Sequence, residues 1–387
     1  MAIAIGGVNV TYTIKFWDAP GTTLLAEIGD WSTIEASRIA NEMGVSAIIF
    51  PGYYPSSIVE RLFGFVTIER ALGNSAPTLL WEQCYQRVAW DYTFNGEERL
   101  WRVTCVDGNI IPKKTIVDYP EGDPKAEVQD MADDLMKDVM TNNRVSATDT
   151  TRNTTLLTVQ AKVGAAYTVR KAFSENNALN LFQTLAQESS DNGTQLYFDT
   201  VCKTPPNSGA APTFEFRTYT GQRGADHRNP SGAQGPIQIG PDFGNLDNGA
   251  LSYNGLESAS RAIVGGRGNG ASRIFKRSNN AAMQALSPLG LWESYRDQTD
   301  VREASADAIL QGRADAMVSA MRPKRSMSGK LVQNEGLLFG VNIGFGDFLT
   351  PSVDGRSMDA HMDAIYLKAT RDESEQLDIT LRSEEDA

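Results

Sequence analysis

The chain carries only two histidines and three cysteines in 387 residues, and no window approaches eighteen uninterrupted apolar residues. His227 and His361 are therefore the sole imidazoles available for acid–base or metal chemistry. His227 lies in Gly224-Ala-Asp-His-Arg228, a stretch of loop composition, and His361 begins a predicted strand. No GxSxG elbow or comparable nucleophile motif accompanies them, which argues against a Ser-His-Asp mechanism. Cys84, Cys105 and Cys202 are odd in number and lack CxxC spacing, so they read as reduced, buried thiols of a cytoplasm-made protein. Cys84 and Cys105 fall in predicted strands, where cysteine behaves as a small hydrophobe. Without a long apolar run, no segment is expected to span a membrane. Met1-Ala-Ile-Ala-Ile-Gly-Gly7 lacks the basic and apolar regions of a signal peptide. Positive charge is also short, 36 Lys and Arg against 48 Asp and Glu, for a net charge of −12. Broad nucleic-acid binding needs clustered cations and is not expected. The acidic balance suits solubility, or a surface that a polyanion passes without sticking.

Glycine, by contrast, is plentiful (34), and apolar residues make up 41% of the chain. This balance favours a β-rich, loop-rich protein over a helical bundle. Val8 to Phe16 alternates strictly and predicts a half-buried strand, with Thr23 to Ile28 as its successor after the Asp18-Ala-Pro-Gly21 turn. Ser32-Thr-Ile-Glu35 has the form of a capping box, and Ala36, Ile39, Ala40 and Met43 share a helical face, so a short helix ending at Gly44 is expected. Val45 to Phe50 and Leu62 to Glu69 read as strands. Gln86 to Phe94 and Arg99 to Val106 then flank Asn95-Gly96, the dipeptide suited to a tight hairpin turn. Residues 1–110 are thus expected to form one antiparallel unit, a small barrel.

Beyond Ile111 the character changes, and an α/β domain inserted over 111–195 is expected. Asp123-Pro124 opens a helix to about Thr141, with Val128, Met131, Leu135 and Val139 inward and Asp130, Asp133, Asp134 and Asp138 on a solvated face. A second helix runs from Asn177 to Ser189 on Ala178, Leu181, Phe182 and Leu185. Residues 196–387 make the second β-unit, with strands at Leu196 to Thr200 and Thr213 to Tyr219. A loop-rich and helical insertion occupies about 221–330: a long exposed arm over 221–250, then an Ala-rich helix from Ala304 to Met321 stopped by Pro323. Leu337 to Thr350 predicts two short strands broken at Gly344 and Gly346, followed by a turn at Asp354-Gly355. A closing hairpin pairs His361 to Thr370 with Leu377 to Arg382.

Candidate chemistry is sparse. Gly266-Arg-Gly-Asn-Gly-Ala271 approaches a dinucleotide fingerprint, but Ser272 to Arg277 continues as strand rather than helix, so a surface turn is the better reading. Asp242, Asn245, Asp247 and Asn248 could offer oxygens to a hard cation, yet the spacing is not that of an EF-hand and an Asx-rich turn is preferred. Arg267, Arg273, Lys276, Arg277, Arg313, Arg322, Lys324 and Arg325 concentrate positive charge in an acidic chain, as a solvated face or as a surface for an acidic partner subunit. Tyr53, Tyr54, Trp292 and Tyr295 could serve a carbohydrate-binding adhesin, although such residues more often belong to cores or interfaces. The many carboxylates leave a cell-wall-cleaving or carbohydrate-cleaving enzyme as an alternative class, with no pair singled out. No catalytic, metal-binding or cofactor-binding residue is assigned.

Several ordered pieces carry a resemblance. They are Trp17-Asp-Ala-Pro-Gly21, Ile39-Ala-Asn-Glu-Met-Gly44, Arg99-Leu-Trp-Arg-Val-Thr-Cys-Val-Asp107 and Ala172-Phe-Ser-Glu-Asn-Asn177. Glu215-Phe-Arg-Thr-Tyr-Thr-Gly221, Gly224-Ala-Asp226, Gly265-Gly-Arg-Gly268 and Phe345-Gly-Asp-Phe-Leu-Thr350 complete the set. Together the chain resembles the tail-hub proteins of siphophages, a family related to the central hub of contractile-tail baseplates. The resemblance implies a non-enzymatic virion protein of α+β, β-rich fold, with two small barrel-like hub domains and an inserted α/β domain. It implies a homotrimer whose six similar domains ring the channel through which the genome leaves, with phage DNA only in passing. The implied neighbours are the tail-tube ring, the tape-measure protein and tip or receptor-binding proteins. No cofactor is implied, and the family offers no catalytic residues to carry over.

Overall fold

A computed structural model of the chain describes residues 2–5, 8–96, 98–118, 128–171, 177–229, 232–233, 235–268, 270–298, 306–334, 336–371 and 375–383. Strand is the dominant element, as the composition implies, and helices are few and short. Val8–Trp17 forms because its period of two puts Val10, Tyr12, Ile14 and Phe16 into the core. It pairs antiparallel with Phe65–Leu72, which pairs in turn with Thr78–Asn95, and that strand with Glu98–Val106. Asn95 faces Glu98 across the turn, and Gly96 takes the positive φ that a tight hairpin demands. The next strands in the sheet are Val45–Pro51 and then Thr33–Ile39.

Thr33–Ile39 corrects the sequence reading, which made this segment a helix. Ile34, Ala36 and Arg38 are buried and their neighbours are not, the signature of a strand. Ser32 Oγ donates to the Ile49 carbonyl instead of capping a helix. The strand is held on both edges, by Val45–Pro51 and by Ala360–Thr370 of the closing hairpin. Two ladders outweigh a local capping signal.

That second ladder also changes the architecture. The closing hairpin, Ala360–Thr370 with Gln376–Ser383, continues into Lys324–Leu331 and then Leu246–Asn254. The two β-units are therefore joined edge to edge in one large sheet, and no sheet among the described residues closes into a barrel. One core serves both units, from Val10, Phe16, Ile48 and Val103 to Leu349, Leu367, Ile379 and Leu381.

The 221–250 stretch is not an exposed arm. Asp226 bridges Phe348, Gln238–Ile239 pairs parallel with Thr350 and Pro351, and Leu246–Asn254 joins the large sheet. Glycine permits this docking, since a Cβ at Gly240 would collide with the Ser352 carbonyl. Leu337 to Asp347 likewise forms a folded loop rather than two strands. Gly340 and Gly346 turn it at positive φ, while Leu337, Leu338, Phe339 and Ile343 drop into the core. Only Phe348–Val353 is a strand there.

The insert packs a second core. Ala132–Met140 and Ala178–Asp191 lie against Leu157–Val159, Leu196–Thr204 and Thr213–Thr220, which form one three-stranded sheet. Asn177 caps the second helix by accepting from Asn180 N–H. The expected start of the first helix at Asp123-Pro124 lies outside the described residues, but Val128–Met131, expected within that helix, is a strand paired antiparallel with Thr168–Lys171, and the helix begins only at Ala132. The expected solvated aspartate face is corrected too. Asp133 and Asp134 are buried, accept the Ala166 and Val163 amides at 3.1 and 3.0 Å, and stand 3.6 Å from the buried Lys137 ammonium. A third, small core sets Ala306–Ala320 on the sheet of Arg261–Gly265, Phe275–Asn279 and Glu293–Asp297. No helix among the described residues is long and apolar enough to cross a membrane.

Candidate interaction surfaces

Charge is buried where the segments meet. Arg38 arrives from the large sheet, Asp199 from the insert, and Arg223 from the segment that leaves the insert. Both guanidiniums donate to Asp199 Oδ2 and both lie over the Phe345 ring, at 5.1 and 4.4 Å from its centroid. Burial alone would raise the Asp199 carboxyl, but the two arginines hold it below its ordinary range. Asp107, nearby, is pushed up to about 7 by burial and by the Asp199 charge. It still accepts the Gly44 and Asn109 amides at 2.8 and 3.0 Å. Such a cluster adds little net stability, yet removing one member strands the rest. Its consequence is register, because three parts of the chain must arrive together.

A second cluster ties the N-terminal strands to the closing segment. Arg70 donates twice to Glu375, at 2.8 and 2.7 Å, and once to the Phe339 carbonyl at 2.8 Å. Tyr12 and Gln333 complete the carboxylate. Gly346-Asp-Phe-Leu-Thr350 behaves in the same way. Asp347 accepts the Ala225 and Gly344 amides at 2.7 and 2.6 Å, and burial pushes its carboxyl up. Thr350 Oγ1 accepts Asn229 N–H at 2.9 Å and donates to Asp359 at 2.7 Å. These groups are spent on folding the loops onto the sheet.

The residues singled out from sequence are dispersed. His227 Nδ1 lies 3.0 Å from the Gly235 carbonyl, to which it can only donate, while Nε2 is 3.7 Å from Asp347. His361 is buried and stacked on Phe348 at 3.9 Å. The three cysteines are buried and free of disulfides. The Gly266 turn joins two antiparallel strands, not a strand to a dinucleotide-binding helix. Asn245 turns inward, accepting Gly240 N–H and donating to the Gln238 carbonyl, and does not pool its oxygen with Asp242 and Asp247. Within the basic cluster, Arg273 pairs with Asp297, Lys276 with Asp307 and Arg313 with Gln298, whereas Lys324 and Arg325 stay exposed. Tyr53 is exposed and stacked on Tyr54 at 5.1 Å.

Two apolar surfaces stand uncovered among the described residues. One is the outer part of the 78–106 hairpin, where Trp90, Tyr92 and Phe94 follow one another on one face. The other is an apolar cleft of about 270 Å³ beside the short helix Ala281–Leu286, lined by Tyr253, Met283, Leu286, Leu289, Trp292 and Pro323. The sequence reading placed the hairpin but passed over its aromatics. The signal was there, in three rings at alternate positions next to an Asn-Gly turn.

No curated protein matches the sequence. Solved structures with a similar fold include a 43 kDa tail protein of prophage MuSo2 from Shewanella oneidensis, 10% identical, with a TM-score of 0.54 over 96% of this chain and 97% of that one. A tail protein from Neisseria meningitidis MC58 is also 10% identical, with a TM-score of 0.55 over 96% and 97%. Prophage tail protein gp18 from Listeria monocytogenes EGD-e is 11% identical, with a TM-score of 0.52 over 96% and 94%. At such identities the likeness is one of fold. Sequence adds the family: residues 72–381 match the model of the Siphovirus ReqiPepy6 Gp37-like proteins. The chain belongs to that phage tail protein family.

Proposed function

We propose that the protein is a structural subunit of the virion, a baseplate or tail-tip hub that forms a trimeric, pseudo-sixfold ring between tail tube and tip. The observation that carries this reading is the likeness in fold to phage tail proteins along 96% of the chain. Two β-units joined in one sheet, with an α/β insert, supply the repeated domains such a ring needs. The first unit spans 1–110. The insert begins at 111 and takes in Leu196–Thr204 and Thr213–Thr220, whose sheet and core it shares, beyond the boundary of 195 expected from sequence. The rest of the chain to 387 is the second unit. On this reading the acidic chain lines or borders a channel that DNA traverses without binding. Its neighbours are the tail-tube ring, the tape-measure protein and the tip or receptor-binding proteins, and its role is non-enzymatic.

Electron microscopy of tails carrying a labelled copy of this chain is the test. Label at the distal end in threefold averages is the expected result. Label along the shaft or on the capsid overturns it, as does a clearing zone on cell-wall substrate that one carboxylate substitution abolishes.

A further inference from the structure

The two uncovered apolar surfaces match one another. In the hairpin, Tyr92 faces Trp101 and Trp90 faces Val103 across the ladder, and both partners are buried in the main core. Directly opposed residues share a face of the sheet. Trp90 and Tyr92, each 36% exposed, pack on the Trp101 ring at 5.5 and 4.4 Å and carry the core face to its edge, and Phe94, 76% exposed, lies past it. Pairing with the Phe65–Leu72 strand has already stopped at Gln86, and pairing of Glu98–Val106 with Val45–Pro51 stops at Leu100, so the tip of the arm around Phe94 is a two-stranded ribbon. Such a ribbon is marginal in water without a layer on its apolar face.

The cleft has the complementary defect. Its helix, Ala281–Leu286, buries none of its residues, and Leu286 and Leu289 are 70% and 83% exposed. A helix this short does not hold itself together in water. Its volume of about 270 Å³ exceeds the roughly 150 Å³ that suffices for a benzene-sized ring. Beside the arm's turn Glu98 is exposed next to the exposed Arg99, and Lys324 and Arg325 are exposed next to the cleft residue Pro323, so Glu98 is the arm charge that can pair there. In a chain of net charge −12, self-contact is repulsive unless opposite charges are placed locally.

We propose that the arm of one copy docks in the cleft of a second copy of this chain, with Phe94 as the inserted ring. The contact joins two different patches, so it is head-to-tail, and the rotation between copies decides whether it closes into a ring. Only the number of copies rests on the trimeric hub reading above; the contact itself does not.

The test combines sedimentation velocity over a range of protein concentrations with cross-copy disulfide formation. Phe94→Ala and Leu289→Asp are each expected to weaken self-association by about tenfold or more, as for a central aromatic anchor. Neither should change the melting temperature of the dissociated chain. Glu98→Lys should weaken association, and Lys324→Glu added to the same chain should restore it. A Phe94→Cys chain mixed with a Leu289→Cys chain should form a disulfide-linked pair, whereas a Val341→Cys chain, its position 64% exposed, should not. Trimers that persist unchanged in both variants, with no disulfide, overturn this contact and leave the ring reading standing. A disulfide formed by a chain that stops at dimers supports the contact and sinks the trimer. A chain that stays monomeric and forms no disulfide overturns the contact and assigns the arm to a different subunit.

Discussion

The buried junction around Asp199 and the open arm around Phe94 use their residues in opposite ways. At the junction, charged groups that would ordinarily face water are enclosed and paired, with Arg38 and Asp199 both buried. On the arm, rings that would ordinarily be enclosed face water. The junction's cost is met inside the chain, by hydrogen bonds and ring contacts that bring three segments into one register. The arm's cost is left open and is met only by another surface. Buried charge therefore marks where this chain is finished, and exposed aromatics mark where it is not.

Breaking the junction should produce the largest effect. Asp199→Ala leaves two guanidiniums enclosed without their carboxylate, and a loss of about 3–5 kcal/mol is expected in urea unfolding. A loss near that of a surface pair would show that the junction is solvated after all. Glu375→Ala should cost a similar amount, about 3 kcal/mol, because Arg70 loses both of its charge-assisted bonds.

A pH profile sharpens the same contrast. Asp107 titrates near 7 in the folded chain and near about 3.9 when unfolded. The folded state thus holds the extra proton between these values, and this group's contribution to stability falls as pH rises from about 4 to about 7. Asp107→Asn should flatten that fall, at a cost of about 1 kcal/mol for the amide hydrogen bond it can no longer accept. An unchanged slope in melting temperature against pH would remove Asp107 as its source. Asp199, held low by its arginines, acts in the other direction, and its contribution is lost below about pH 4.

The smallest effects belong to the surface. Removing the partly exposed Lys15–Glu69 pair, 2.8 Å apart, should cost less than about 1 kcal/mol. Phe94→Ala should leave the unfolding free energy of the single chain within about 0.5 kcal/mol. A loss of several kcal/mol there would mean that the arm is packed within its own chain.

Strands whose alternation is complete in themselves were legible. Val8 to Phe16, the Asn95-Gly96 hairpin and the closing hairpin all form where period-two patterning and turn chemistry place them. The helix from Ala178 was legible from its Asn177 cap and its apolar stripe. Errors fell where a distant partner decides. Ser32 to Gly44 satisfies a helical pattern and a strand pattern equally, and the ladders to Val45–Pro51 and Ala360–Thr370 choose between them. Asp133 and Asp134 look like a wet face until two loop amides and Lys137 close over them. The arm and the cleft were invisible as sites because exposure is a property of what packs on a residue, not of the residue.

By itself the sequence determined the chemical class of this protein: β-rich, acidic, poor in imidazole and thiol, and without a nucleophile motif. It also determined most local elements, because turn dihedrals and side-chain period depend on near neighbours. Only the tertiary structure decided that two expected barrels are one continuous sheet, that the glycine-rich stretch is docked, and that Trp90, Tyr92 and Phe94 stand uncovered. Those outcomes rest on pairings hundreds of residues apart, such as Thr33–Ile39 with Ala360–Thr370. Edge hydrogen bonds and burial are settled between segments, and no window of the chain contains both sides.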